Sequence, residues 1–238
     1  MGNRYDILLW DVDQTLLDFN SSQEHALKAA FRQFGREIGQ DAVTIYAAIN
    51  DSWWKRLELG EVEKSQLLTG RFIDLFDHLA IRDIDLDAFA KSYQKELGAV
   101  YFYQDDSYKL CRYLKGHIRQ YAVTNGVAAT QRSKLRLSGL DAFMEDIFIS
   151  EEMGAPKPSL EYFLKCFERI ADFSRERTLI VGDSLSSDMK GGNQAGIACC
   201  WYNPGMEQRP KDLRIDYEIR NLWEVKEILG CQDQPIKN

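Results

Sequence analysis

Two carboxylates follow directly on a short apolar run near the start of the chain, and this arrangement limits the possible folds more than any other feature. The run Ile7-Leu8-Leu9-Trp10 is typical of a buried central strand in a parallel sheet. Because side chains alternate along a strand, Asp11 and Asp13 are expected to leave its end on the same side, with Val12 pointing away. Two like charges this close need a cation beside them, or one of them must hold a proton. In open α/β sheets, ligands bind in the crevice at the carboxyl ends of the strands.

Four amphipathic helices are predicted after this strand, with no strand between them. A capping box at Ser21-Ser22-Gln23-Glu24 is predicted to open the first helix, and Asp41 is predicted to begin the second. The third follows from an apolar stripe that ends at Leu79, and Asp85 is a candidate cap for the fourth. Consecutive amphipathic helices bury their apolar faces against one another, so residues 18–98 are expected to form a helical insert after the first strand.

Strands and helices alternate over the rest of the chain, from Asp105 to about residue 230. Strands are predicted at 118–124, 147–150, 178–182, 197–201 and 217–219. This alternation indicates a doubly wound parallel sheet with helices on both faces, which is an α/β fold. The polar tail at 231–238 is predicted to be frayed.

Polar side chains follow the predicted strands at several points. Thr124-Asn125-Gly126 follows the strand that ends at Thr124, and Asp183 and Asp188 follow the strand at 178–182. Lys157 precedes Pro158, which is predicted to take the first position of the next helix. Each has an ordinary interpretation by itself: a strand-to-turn exit, a surface lysine, and a helix cap at Asp188.

The four acids of this set, Asp11, Asp13, Asp183 and Asp188, are expected to converge at one edge of the sheet. Converging carboxylates raise each other's pKa values, and one divalent cation together with Lys157 would remove most of that conflict. Oxygen ligands favour Mg²⁺, so the sequence predicts a magnesium site.

The order of these motifs resembles the haloacid dehalogenase-like superfamily. Its four signatures match, in chain order, Asp11-x-Asp13-x-Thr15, Thr124, Lys157 and Gly182-Asp183-x-x-x-x-Asp188. The resemblance implies a Rossmann-like, doubly wound core at 1–17 and 99–230 and an inserted four-helix cap at 18–98. It further implies that Asp11 is a nucleophile that forms an aspartyl-phosphate, and that Asp13 acts as general acid and then base.

The resemblance also implies how phosphate and metal are held. Thr124 and the backbone at Asn125 and Gly126 would hold phosphoryl oxygens, and Lys157 would neutralise charge. Mg²⁺ would be bound by Asp11, Asp183 and the backbone carbonyl of Asp13, with Asp188 in an outer position or acting through water.

In the cap, the loop Leu59-Gly60-Glu61-Val62 is the candidate for contact with the substrate, through Gly60 and Glu61. Trp53, Trp54 and Arg71 are further candidates, although aromatic residues at helical spacing more often belong to the core of a bundle.

Short matches in both halves resemble the bacterial pyrimidine 5′-nucleotidases of this superfamily. They are Asn50-x-x-Trp53, Leu57-Glu58-x-Gly60, Arg71-Phe72, Thr124-Asn125-Gly126-Val127 and Gln131. The resemblance implies a phosphomonoesterase that converts nucleoside monophosphates to nucleoside and phosphate.

Alternative functions remain open at this point. A sugar-phosphate or phosphoglycolate phosphatase is the main one, since cap loops change the substrate without touching the core motifs. A non-catalytic phospho-receiver or phosphometabolite-binding protein is more distant, because neither Asp11 nor Asp13 is lost. Dehalogenase activity is not expected, because the dehalogenases of the superfamily lack the second acid.

The composition of the chain limits its possible binding partners and its cellular location. Lys+Arg 30 against Asp+Glu 37 gives a net charge of −7, which indicates no general nucleic-acid binding. No signal peptide precedes the first strand and no apolar run approaches the ~20 residues of a bilayer span, so a cytoplasmic protein without a membrane partner is expected. Five cysteines with no C-x-x-C pair are expected to be reduced and mostly buried. A small phosphate monoester is the expected partner, and the oligomeric state is left open.

Overall fold

A six-stranded, wholly parallel sheet dominates the larger part of the computed structural model, which describes residues 4–231. Its strands are β1 (Ile7–Asp11), β2 (Arg119–Thr124), β3 (Asp146–Ile149), β4 (Thr178–Gly182), β5 (Ala198–Tyr202) and β6 (Tyr217–Ile219). The strand order is β3-β2-β1-β4-β5-β6. The predicted doubly wound α/β fold is therefore confirmed. The winding direction reverses between β1 and β4, which is where such sheets form ligand crevices.

The described residues form two compact units. The sheet unit contains residues 4–17, 103–128 and 138–231, and the helical unit contains Asp18–Phe102 together with Ala129–Leu137. The division into a catalytic core at 1–17 and 99–230 and a cap at 18–98 stays a prediction, as does the frayed tail at 231–238. Residues 232–238 of that tail lie outside the described residues.

The helical unit has an aromatic core. Its helices are α1 (Phe19–Gln33), α2 (Gln40–Glu58), α3 (Lys64–His78) and α4 (Leu86–Gly98). The ring centroid of Phe89 lies 4.7 Å from that of Phe31 and 5.3 Å from that of Phe72, and all three side chains are fully buried. Full burial of each such ring stabilises the bundle by about 1.5–3 kcal/mol, which explains why the apolar stripes predicted these helices well.

The remaining helices lie between residues 107 and 229. They are α5 (Ser107–Leu114), α6 (Ala128–Ser138), α7 (Ser150–Met153), α8 (Leu160–Arg169), α9 (Lys190–Ala195) and α10 (Val225–Leu229). None of the helices between residues 4 and 231 has the length and apolarity that a bilayer span requires. The five cysteines are free thiols; four are buried and Cys231 is partly exposed.

Three of the assignments predicted for helix N-termini are wrong. The cap of α1 is Asp18, whose carboxylate accepts a hydrogen bond from the backbone N–H of Ser21 at 2.9 Å, so the predicted box at 21–24 lies within the helix. The cap of α8 is Ser159 rather than a residue before Pro158, because its hydroxyl oxygen can accept a hydrogen bond from the N–H of Glu161. Before α9, Ser184 caps a π-helical turn (Leu185–Met189), and Asp188 lies within that turn.

Candidate active site

The ends of β1, β2 and β4 bring most of the predicted site residues to one edge of the sheet. Asp11 is the last residue of β1, Thr124 is the last of β2, and Asp183 follows β4 directly. In the parallel register Asp11 lies opposite Val123, and Trp10 lies opposite Val181. The carboxyl ends of the three strands therefore meet, as the sequence predicted for a parallel sheet.

Lys157 links the acids at this edge. Its Nζ donates to Asp11 Oδ1 at 2.6 Å, to Asp188 Oδ1 at 2.7 Å and to the carbonyl oxygen of Val123 at 2.9 Å. The side chain is only 2% exposed, and these three bonds use all the donors of its ammonium group. Lys157 is thus a buried cation between two carboxylates, not a surface lysine.

Asn125 holds the loop that carries Lys157. Its Nδ2 donates to the carbonyl oxygen of Lys157 at 2.9 Å, and its Oδ1 accepts from the N–H of Lys157 at 2.8 Å. Both polar atoms of the Asn125 side chain are therefore bonded to the backbone of Lys157. At the next residue, the N–H of Gly126 donates to Thr124 Oγ1 at 3.1 Å.

Three acids form a group that could hold a metal ion. Asp11, Asp183 and Asp188 each contribute a carboxylate oxygen, and these oxygens all lie within 4.8 Å of one another. A set of hard oxygen donors without nitrogen or sulfur fits Mg²⁺. Within residues 4–231 the carboxylate of Asp13 is not part of this group.

The charges in this cluster do not balance. Burial raises the pKa of Asp11 to about 7, since the lowering by Lys157 only partly offsets desolvation and the nearby Asp188 raises it further. Burial, and then the charges of Asp11 and Asp188, raise the pKa of Asp183 well above its usual range. Burial alone would lower the pKa of Lys157, but Asp11 and Asp188 outweigh it and raise that pKa. Three carboxylates against one ammonium leave negative charge that a divalent cation would balance.

Asp13 lies in a tight turn just after β1. The N–H groups of Leu16 and Leu17 both donate to the carbonyl oxygen of Val12, at 3.0 and 2.8 Å. Gln14 has a φ of +61° and its N–H donates to Leu17 at 2.7 Å. Asp13 is partly exposed, unlike the buried Asp11.

Three residues support the acids in ways that the sequence did not reveal. Thr15 Oγ1 lies 3.2 Å from both Asp183 Oδ1 and the N–H of Asp183, and Trp201 Nε1 donates to the carbonyl oxygen of Asp183 at 2.8 Å. A Cβ on Gly182 would come within 2.3 Å of Asp188 Oδ2. Thr15 and Gly182 stood inside recognised motifs, but nothing near Trp201 in the sequence pointed to this contact.

The candidate substrate residues Gly60 and Glu61 lie in the helical unit, between α2 and α3. Gly60 has a φ of +73° just beyond the end of α2, and Glu61 Oε2 lies 3.9 Å from Arg56 Nε. In α2, the Trp53 indole donates to Asp74 at 2.7 Å, and Arg71 of α3 is buried.

The chain is similar to known hydrolases over most of its length. Residues 5–196 match the model of the haloacid dehalogenase-like hydrolases. The HAD hydrolase YfnB of Bacillus subtilis is 38% identical over 97% of this chain and 97% of its own length. Its orthorhombic crystal form, which is bound to magnesium, superposes with a TM-score of 0.89 over 95% of this chain and 99% of that one.

Two pyrimidine 5′-nucleotidases are also similar over almost their whole length. PynA of Streptococcus pneumoniae is 35% identical over 98% of this chain and 97% of its own. YjjG of Escherichia coli is 28% identical over 95% of this chain and 98% of its own. Both alignments extend across the helical unit as well as the sheet unit.

Proposed function

The chain belongs to the haloacid dehalogenase-like hydrolases, and we propose that it is a magnesium-dependent phosphomonoesterase that hydrolyses pyrimidine nucleoside 5′-monophosphates to nucleoside and phosphate. The observation that carries the proposal is the position of the Lys157 ammonium, which contacts Asp11 and Asp188 at the carboxyl edge of the sheet beside Asp183. A buried cation between two acids at the end of a central strand is suited to orienting a carboxylate nucleophile and neutralising a phosphoryl group.

In the proposed reaction Asp11 is the nucleophile. One of its carboxylate oxygens attacks phosphorus, the bond from phosphorus to the leaving oxygen breaks, and an aspartyl-phosphate forms. Asp13 gives a proton to the leaving oxygen, which departs as the nucleoside hydroxyl. Asp13 then takes a proton from water as the water oxygen attacks phosphorus. The bond from phosphorus to the Asp11 oxygen breaks, which releases phosphate and regenerates the Asp11 carboxylate.

The other site residues bind and orient the reacting groups. Lys157 holds Asp11 Oδ1 and reduces the repulsion between the Asp11 carboxylate and the anionic phosphoryl group. Thr124 and the backbone at Asn125 and Gly126 are proposed to hold phosphoryl oxygens. Mg²⁺ would be held by Asp11, Asp183 and the backbone carbonyl of Asp13, with Asp188 beside them. When bound, it offsets the negative charge of the carboxylates and the phosphoryl group.

The choice of substrate rests on the two nucleotidases that align over nearly the whole chain. Because specificity in a shared fold is set by the parts outside the core motifs, similarity across the helical unit supports a similar leaving group. Gly60 and Glu61 remain proposed contacts of the substrate. A cytoplasmic location fits a nucleotide substrate and is part of the same proposal.

Phosphate release from a panel of phosphate monoesters tests this function. We expect the wild-type protein to hydrolyse dUMP faster than glucose 6-phosphate or phosphoglycolate, and only when Mg²⁺ is present. Asp11→Asn should abolish turnover, because an amide is not a nucleophile for phosphorus. Higher kcat/KM for phosphoglycolate or a sugar phosphate would reject the nucleotidase in favour of that alternative. Undiminished turnover by Asp11→Asn would reject the mechanism.

A further inference from the structure

One short stretch of chain holds Lys157 both at its backbone and at its ammonium group. The carbonyl oxygen of Val123, in β2, accepts a hydrogen bond from Lys157 Nζ at 2.9 Å. Two residues further on, Asn125 Oδ1 accepts from the N–H of Lys157 at 2.8 Å, and Asn125 Nδ2 donates to its carbonyl oxygen at 2.9 Å. The segment 123–125 therefore contacts the two ends of this lysine at once.

The position of Lys157 in the chain makes these contacts important. It lies in the turn between α7 and α8, where the backbone is held by individual contacts rather than by the repeating bonds of a helix or strand. A carboxamide carries one acceptor oxygen and a donor NH2 group. The Asn125 side chain therefore supplies the pair of bonds that the backbone of a neighbouring strand would supply to Lys157.

The segment that carries Asn125 is itself fixed to the sheet. In the register of β1 and β2, Val123 lies opposite Asp11. The carbonyl oxygen of Asn125 accepts from the hydroxyl of Ser150, at the start of α7, at 3.4 Å. The Asn125 side chain thus ties the backbone of Lys157 to the strand that pairs with the strand of the proposed nucleophile.

The bonds of the Lys157 ammonium need such a support. A lysine ammonium stands on a flexible four-carbon stem, so its position depends on where the backbone is held. Here it must lie 2.6 Å from Asp11 Oδ1 and 2.7 Å from Asp188 Oδ1 at the same time. A backbone shift of about 1 Å would stretch these bonds past the usual hydrogen-bond range, and misplacement of this size can lower a rate about 100-fold.

We propose that Asn125 is a positioning residue, whose side chain fixes the backbone of Lys157 so that the ammonium group meets the nucleophile Asp11. This inference rests on the proposed function, in which Lys157 neutralises charge on Asp11 and on the phosphoryl group. It gives the Asn125 side chain a role distinct from the phosphate contact proposed for its backbone. Because the side chain acts through Lys157, its loss should slow the chemical step and leave substrate binding almost unchanged.

The test compares Asn125→Ala with a matched variant elsewhere in the sheet unit. Asn193 of α9 makes the same pair of bonds to the backbone of Arg214, whose N–H and carbonyl oxygen each lie 2.8 Å from its carboxamide. Both asparagines are half-buried, so the two alanine variants should lose a similar amount of Tm. With dUMP, kcat should fall about 10- to 100-fold in Asn125→Ala while KM stays within about threefold. In Asn193→Ala, kcat should stay within about twofold of wild type.

Acylation of lysine side chains by acetic anhydride, read by mass spectrometry in Mg²⁺ buffer, gives a second measurement that does not depend on turnover. The Lys157 side chain is only 2% exposed, so it should react slowly in the wild-type protein. Loss of two hydrogen bonds should let its loop open more often and raise this rate at least about tenfold in Asn125→Ala. The rate should be unchanged in Asn193→Ala. Lys109, which is 68% exposed, should react equally fast in all three proteins.

Three results would overturn the positioning role of Asn125. The first is an equal kcat in Asn125→Ala and Asn193→Ala. The second is a loss of kcat/KM through a higher KM alone, which would assign the carboxamide to substrate binding. The third is slower turnover in Asn125→Ala without faster acylation of Lys157, which would show that the side chain does not act through this lysine.

Failure of the proposed function gives a different result. A wild-type protein that hydrolyses none of the phosphate monoesters would overturn that function. The acylation rates would then decide by themselves whether Asn125 holds Lys157. Faster acylation in Asn125→Ala alone would support the contact, and equal rates in the two variants would overturn it as well.

Discussion

Lys157 sets the charge balance of the candidate active site, because it bonds to two of the acids there. Its ammonium group contacts Asp11, Asp188 and a backbone carbonyl, and it is almost fully buried. Removing one partner of a buried ion pair leaves the other charges uncompensated, which is more damaging than the absence of the whole pair.

For that reason Lys157→Met is expected to lower both stability and activity. The free energy of unfolding should fall by about 3–5 kcal/mol in urea titrations, because Asp11 and Asp188 would remain buried without their cation. A matched control is Lys109→Met, which removes an exposed lysine that pairs with Asp106 at 3.0 Å and should change stability by less than about 1 kcal/mol. Equal effects of the two substitutions would contradict the assignment of Lys157 as a buried bridging cation.

Gly182 is required for a different reason, because a side chain at this position would collide with Asp188. A Cβ at this position would lie 2.3 Å from Asp188 Oδ2, closer than any real contact allows. We expect Gly182→Ala to displace the Asp188 carboxylate and to reduce kcat by at least about tenfold, as small misplacements of catalytic groups do. Gly205→Ala serves as the control, since the nearest atom to its Cβ would be 4.0 Å away. Steady-state phosphate release by the two variants checks this, and normal kcat in Gly182→Ala would contradict it.

At the scale of single elements, substitutions at the start of α1 test whether Asp18 caps this helix. Asp18 accepts hydrogen bonds from both the N–H and the hydroxyl of Ser21. Asp18→Ala should therefore destabilise the protein by about 1 kcal/mol in chemical denaturation. Ser21→Ala keeps the carboxylate cap on the backbone and should lose less. A larger loss in Ser21→Ala would restore the capping box that the sequence suggested.

The observed helices and strands also show which sequence patterns were sufficient to predict secondary structure. The apolar runs at 7–10 and 178–182 predicted β1 and β4 because such strands are buried on both faces, and Asp85 was confirmed as the cap of α4. The assignment of Pro158 to the first helical position of α8 was wrong, because a proline in that position and a serine cap one residue later give similar local patterns. The π-helical turn before α9 has no sequence signature of the kind that periodicity provides.

At the scale of the whole molecule, the sequence predicted which strand ends meet but not how the side chains there are paired. The carboxyl ends of parallel strands lie at one edge of a sheet, so Asp11 and Asp183 could be expected to meet from the sequence alone. The contact of Trp201 with the backbone of Asp183, and that of Asn125 with the backbone of Lys157, depend on pairings across long sequence separations. The unpaired donors of Arg71 were likewise invisible, because helical spacing marks a residue as buried without saying whether it has a partner.

The charge balance of the acid cluster predicts how stability responds to pH and metal. Because the pKa of Asp11 is raised to about 7, the folded protein holds a proton that the unfolded chain releases at lower pH. This contribution to stability is present at low pH and is lost as the pH rises through about 7. Metal-depleted protein should therefore lose Tm between pH 5 and pH 8, and Mg²⁺ should raise Tm more at pH 8 than at pH 5. A Tm gain from Mg²⁺ that is equal at both pH values, or absent, would contradict this account of the cluster.

The proposed chemistry is tested most directly by trapping the phosphorylated enzyme. Protein quenched in acid during turnover of dUMP is reduced with borohydride, which converts an aspartyl-phosphate to homoserine, and the peptides are sequenced by mass spectrometry. We predict homoserine at position 11 in the wild-type protein and at none of the other acids of the cluster. Its absence under conditions of full turnover, or its appearance at position 183 or 188, would contradict the central role given to Asp11.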